Sequence, residues 1–127
     1  MWSQNHYKVE LIMITEDYVS FEIAKLLEEK GFDLEVHRSY LVNDNCFVPS
    51  DVNDLQCRKD AIRIPTLQMV MKWLREVHHI TIGITFSLDI IFYEIQKDKK
   101  VIIAIGSSRS YEDMVEEAIK YCLENLI

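Results

Sequence analysis

The spacing of apolar and polar positions divides the chain into a mixed first half and a more regular second half. From Thr66 to Ile127 apolar residues recur first at helical spacing, then in three short strand-like runs, then again at helical spacing. Leu67, Val70, Met71, Leu74 and Val77 share one helix face behind Thr66, whose hydroxyl suits an N-cap. Trp73 lies beside that stripe and would cover its edge. Strands follow at about Ile80–Phe86, Ile90–Gln96 and Val101–Ile105, joined by Ser87-Leu88-Asp89 and by Lys97-Asp98-Lys99-Lys100. Connections this short predict neighbouring antiparallel strands. Along the first strand Ile80, Ile82, Ile84 and Phe86 fall on one side, with Thr81, Gly83 and Thr85 on the other. One face would pack on helices and the other would meet water or a partner. The last helix, about Tyr111 to Leu126, opens on Ser110 with Asp113 at the capping-box position. Val115, Ala118, Ile119, Cys122 and Leu126 predict its buried stripe. Glu112, Asp113, Glu116, Glu117 and Glu124 predict an acidic outer side.

The first half is less periodic. Val9–Ile14 is an apolar run interrupted by Glu10; it suits a short buried strand, and its period alone also fits a helical turn. Phe21–Lys30 predicts a helix, with Ser20 as N-cap, Val19 as a hydrophobic staple, and a stripe of Ile23, Ala24, Leu26, Leu27 and Lys30 on one face. Gly31 supplies the left-handed residue beyond the helix, and Phe32 would fold back on Leu27 in a Schellman ending. Leu34–Val42 alternates in part and predicts a strand. Asn43-Asp44-Asn45 is turn chemistry, and Cys46-Phe47-Val48 predicts a short return strand closed by Pro49. Residues 49–63 show no period and predict an extended loop, of a length that is often functional.

Composition bounds the class. A chain of 127 residues with 49% apolar and 28% charged residues fits a single domain spanning 1–127, with an N-terminal part, 1–63, and a C-terminal part, 64–127. The net charge is −7, and both parts are acidic, which disfavours nucleic acid as a partner. No apolar run reaches the roughly 20 residues that cross a bilayer, so a membrane role is not expected. The polar start Met1–Lys8 lacks a signal-peptide core, and Cys46, Cys57 and Cys122 share no framework spacing. A cytoplasmic protein with reduced thiols is the expectation.

Few residues suggest chemistry. His78-His79 could bind a metal or titrate near neutrality, but neighbours at a helix end point apart and complement the helix dipole. His37, Cys46 and Cys57 lack the spacing of a zinc site. Cys122 falls on a buried stripe. Ser107-Ser108 after Gly106 could cradle a phosphate, but a capping loop is the simpler reading, since the helix beyond carries five carboxylates. No Ser/His/Asp or Cys/His set converges by spacing. The expectation is therefore no catalytic residue, no cofactor and no metal.

Three segments carry a resemblance: VSFEIAKLLEEKGF at Val19–Phe32, PTLQMVMKWLREVHHI from Pro65, and SYEDMVEEAIKYCLENLI from Ser110. They resemble small uncharacterised proteins of gut Bacteroides genomes and their prophages, with an early VSFE-like helix, a proline-led WLRE helix and a closing SYEEA-type helix. The resemblance covers most of the chain outside 35–63. It implies a mobile-element or accessory origin and transfers no functional residue.

The fold expected is α+β. A three-stranded antiparallel meander carries two helices on one face (α-β-β-β-α), preceded by an N-terminal strand, helix and hairpin. The function expected is a non-enzymatic interaction protein that binds another protein through the sheet face or the 43–63 loop. Trp2 and the outward sheet face hint at a homodimer. The alternative is an RNA-binding domain, because the C-terminal order resembles double-stranded-RNA-binding domains. That resemblance implies lysines at the start of the last helix, where this chain has Glu112 and Asp113.

Overall fold

A computed structural model describes residues 17–49 and 60–127. The expected strand at Val9–Ile14, Trp2 and most of the 49–63 loop lie outside the described residues. The architecture is α+β, with three helices and two three-stranded antiparallel sheets among those residues.

Helix α1 spans Phe21–Glu29, and both of its ends follow the sequence signals. The Ser20 hydroxyl accepts from the amide of Ile23. At the other end Gly31 has φ 88°, and the Phe32 amide donates to the Leu27 carbonyl at 2.9 Å. These are the bonds of a Schellman ending, and they turn Phe32 into the core, where its ring meets Trp73 edge-on.

The small sheet has the order β2-β1-β3, with β1 at Arg38–Leu41, β2 at Cys46–Pro49 and β3 at Ala61–Arg63. The expected strand at Leu34–Val42 is thus shorter, because its two partners reach only Arg38–Leu41. Pro49 is the last residue of β2, opposite Arg38 on an edge strand, where a missing N–H is tolerated. The expected loop at 49–63 ends instead in β3, which pairs with the far side of β1 and makes the hairpin a three-stranded sheet.

Helix α2, Leu67–His78, is capped by Thr66, whose hydroxyl accepts from Met69. Trp73 is buried in the core, not at its rim, and Val77 is exposed although it falls on the expected stripe. The meander follows as β4 (Ile80–Ser87), β5 (Ile90–Lys97) and β6 (Lys100–Ser107). Both turns contain two residues, since Ser87 pairs with Ile90 and Lys97 with Lys100. Asp98 and Lys99 both have positive φ, as a twist-compatible hairpin turn requires. A bulge near Ile95 and Gln96 leaves Ile102 between the paired residues Val101 and Ile103.

Helix α3, Tyr111–Asn125, is capped by Ser110, whose hydroxyl accepts from the Asp113 amide at 3.1 Å. Its buried residues are Met114, Val115, Ala118, Ile119, Cys122 and Leu123, half the helix circumference. The stripe is wider than expected because α3 packs on β4 and β5 and also against α1 and α2. Helices α1 and α3 run in the same direction: the Ser20 amide donates to Glu116 near their starts, and the Lys30 ammonium to the Ile127 main-chain oxygen at their ends. One buried cluster joins Val19, Ile23, Leu27 and Phe32 from the first part to Trp73, Ile80, Tyr93, Ile95 and Ile119 from the second.

Candidate interaction site

The helices cover only part of the meander. Rows of directly opposed residues run across it: Ile82, Ile95 and Ile103; then Ile84, Tyr93 and Ile105; then Phe86, Ile91 and Ser107. Ile82 and Ile95 are buried, Ile84 is half-buried, and Phe86 is 65% exposed. The apolar side of the sheet therefore runs out beyond its cover. The Phe86 ring stacks with that of Tyr111 at 6.3 Å. Leu88, fully exposed at the turn, and Ile90 extend the apolar tip. On the opposite side Phe92 is partly exposed and lies over Gly106. Along β6, Val101 and Ile102 are 58% and 43% exposed. Both covering helices pack on β4, α3 also packs on β5, and among the described residues β6 pairs only with β5. Exposed aliphatic residues along a strand edge without a partner among the described residues are of the kind that pair with another chain.

A second feature sits on the small sheet. The Arg38 guanidinium lies between the rings of Tyr18, at 4.7 Å, and Phe47, at 4.9 Å. Phe47 meets Tyr40 edge-on, Tyr40 meets Phe21, and the Lys25 ammonium lies over Phe21. The chain of contacts fastens the hairpin to α1. Beside Arg38 an open cleft of about 660 Å³ is lined by Asp17, Tyr18, His37, Phe47, Val48 and Pro49. Its walls are shallow.

The residues weighed for chemistry are kept apart. His37 adjoins Arg38, which pairs with Pro49, whereas Cys46 pairs with Leu41 at the other end of the same ladder. Cys57 lies outside the described residues. Among the described residues no group of three His, Cys, Asp or Glu side chains is placed to hold a metal. His78 turns inward, edge-on to Trp73 at 4.6 Å, and its buried Nε2 has no hydrogen-bond partner among the described residues. Burial, then Lys97, then His79 hold its pKa below the ordinary value. His79 is exposed, with φ 58° at the helix end. Cys122 is buried, and burial pushes its thiol up to about 12, so it is inert. At Ser107-Ser108 the Ser107 hydroxyl accepts from the Arg109 amide, and Arg109 itself pairs with Glu117.

The acidic outer side expected of α3 is partly engaged within the fold. Glu116 accepts from the Ser20 amide at 3.1 Å. Glu117 accepts from the buried Tyr93 hydroxyl at 2.9 Å and from Arg109. Burial, then the bond to Glu117, raises the Tyr93 pKa well above its usual range. Glu112, Asp113 and Glu124 remain exposed.

No family model, curated protein or solved structure matches the chain. Among the described residues no helix is long and apolar enough to cross a membrane.

Proposed function

We propose that the chain is a non-enzymatic, cytoplasmic accessory protein that works by binding another protein at the uncovered end and free edge of the β4-β5-β6 sheet. The observation that carries this reading is β6: an eight-residue strand paired on one side among the described residues, with exposed Val101 and Ile102. The resemblance to Bacteroides and prophage proteins supports an accessory role carried by a mobile element. The test is proximity cross-linking in the host with wild type and with Val101→Lys/Ile102→Lys. The reading expects specific protein partners that the edge variant loses while its melting curve is kept. Partners unchanged by the variant, or a small molecule that alone stabilises the fold, would overturn it.

A second reading, duplex RNA, rests on the α2-β4-β5-β6-α3 order and the Lys97-Asp98-Lys99-Lys100 turn. Glu112 and Asp113 in the first turn of α3 oppose it, because carboxylates beside phosphates work against counterion release. It predicts a gel shift at low salt that Lys99→Glu and Lys100→Glu abolish.

A further inference from the structure

We propose that the partner at the β6 edge is a second copy of this chain. Two β6 strands pair antiparallel about a two-fold axis at Ala104 and join two three-stranded sheets into one of six strands. The inference rests on the reading of that edge as an interaction site.

Strands that stay single at a sheet edge carry lysine, proline or inward charge along their length. Strand β6 has one charge, Lys100 at its first residue, and then Val101, Ile102, Ile103, Ala104, Ile105 and Gly106. Among the described residues its protective device is the bulge at Ile102.

Symmetry and register both favour a self-partner. An antiparallel strand paired with its own copy is isologous, so one contact uses both free β6 edges and closes. Pairing β6 to β4 would instead leave an edge at each end and grow. Directly opposed residues share a face. An axis at Ala104 sets Ile103 of each copy opposite Ile105 of the other. The row Ile82, Ile95, Ile103 then continues into Ile105, Tyr93 and Ile84 of the second copy, apolar across six strands. On the other face two alanines meet at the axis, and Ile102 comes opposite Gly106, over which the Phe92 ring lies.

Charge decides where two anionic chains can touch. Each copy carries −7, yet no carboxylate occurs from Lys99 to Tyr111. The seam avoids like acidic charges, and the remaining repulsion is long-range. Added salt therefore strengthens this dimer, whereas it would weaken a contact with a basic partner.

Sedimentation equilibrium across the micromolar range tests the idea. The expected result is a monomer–dimer equilibrium that tightens with salt and is lost in Ala104→Lys, whose two ammonium groups would face each other at the axis. Circular dichroism and melting show that this variant is folded. As an independent readout, Ala104→Cys in a Cys46→Ser/Cys57→Ser background should form a disulfide-linked dimer with diamide as oxidant, and Thr85→Cys should not. A protein monomeric throughout, or a dimer that survives Ala104→Lys, overturns self-pairing. If the protein is monomeric yet still captures partners through Val101 and Ile102, the edge remains an interaction site for another protein. If capture is also insensitive to those residues, both readings fail.

Discussion

The ring of Phe92 occupies the space that a side chain at position 106 would need. The two residues are opposed across β5 and β6, and a Cβ built on Gly106 would stand 2.6 Å from Cδ1 of Phe92 and 3.2 Å from Cζ. Gly106 is therefore set by close approach, a role that strand glycines often fill. The aromatic covers bare backbone on a surface otherwise open to solvent.

Enlarging residue 106 must displace that ring. Gly106→Val is expected to cost about 1–2 kcal/mol, the usual scale of overpacking, read as a lower urea midpoint at unchanged m. In a Phe92→Ala background the same change should cost much less, because valine suits a strand once the ring is gone. Equal costs in the two backgrounds would show that the ring is not the obstacle.

The Tyr93 hydroxyl ties the sheet to α3. It is buried, it donates to Glu117, and Glu117 also receives Arg109 from the loop after β6. Tyr93→Phe removes the donor without changing the packed volume. Loss of about 1–2 kcal/mol is expected, toward the upper part of the range for a bond to a charged acceptor. Arg109→Ala should cost less, because that pair is roughly half exposed and screened. A double-mutant cycle of Tyr93→Phe with Glu117→Gln should show coupling, and strict additivity would refute the link.

The ends of the elements were readable wherever a local signal fixes them. Ser20, Thr66 and Ser110 all cap as their residue type and position foretell, and Gly31 ends α1 as expected. What was not readable depends on partners remote in sequence. Trp73 is buried because Phe32, delivered by the end of α1, packs against it. Strand β3 has only three residues and no period of its own, so only its pairing with β1 defines it. The alternation of Ile80, Ile82, Ile84 and Phe86 marks a face but not where the helices stop covering it. The same holds for the interaction site. The alternation marks an outward sheet face, whereas the β6 edge, unpaired among the described residues, follows from strand order. The acidic side of α3 is misleading as composition, since Glu116 and Glu117 bind groups from Ser20, Tyr93 and Arg109.

Two contacts between α1 and α3 should differ sharply in worth. Glu116 satisfies the half-buried Ser20 amide, whereas Lys120 meets Glu22 at 3.2 Å in the open. Glu116→Ala leaves an amide without its partner at a helix start, and about 1 kcal/mol of stability should be lost. Lys120→Ala should change stability by no more than about 0.5 kcal/mol, as exposed ion pairs do. Urea titrations of the two variants provide the comparison. A larger loss for Lys120→Ala would mean that the solvent-exposed pair, not the amide bond, holds the helices together.

His78 should make stability depend on pH in the mildly acidic range. Its Nε2 is buried without a partner among the described residues, its ring lies against Trp73, and Lys97 and His79 oppose a positive imidazole. The folded-state pKa is thus depressed, while the unfolded chain titrates near the ordinary value of about 6.5. Above that pH both states are neutral at this site, and its contribution is fully present. As pH falls through about 6.5, the unfolded state binds the proton first, and stability declines until the folded-state pKa is passed. Replacement by glutamine removes the titration, so the difference in melting temperature between wild type and His78→Gln should shrink as pH drops from 8 toward about 5, on the same linkage. Lys97→Ala should flatten the wild-type profile in the same direction by removing one opposing charge. A difference that is constant across this range would place the proton-linked loss of stability elsewhere in the fold.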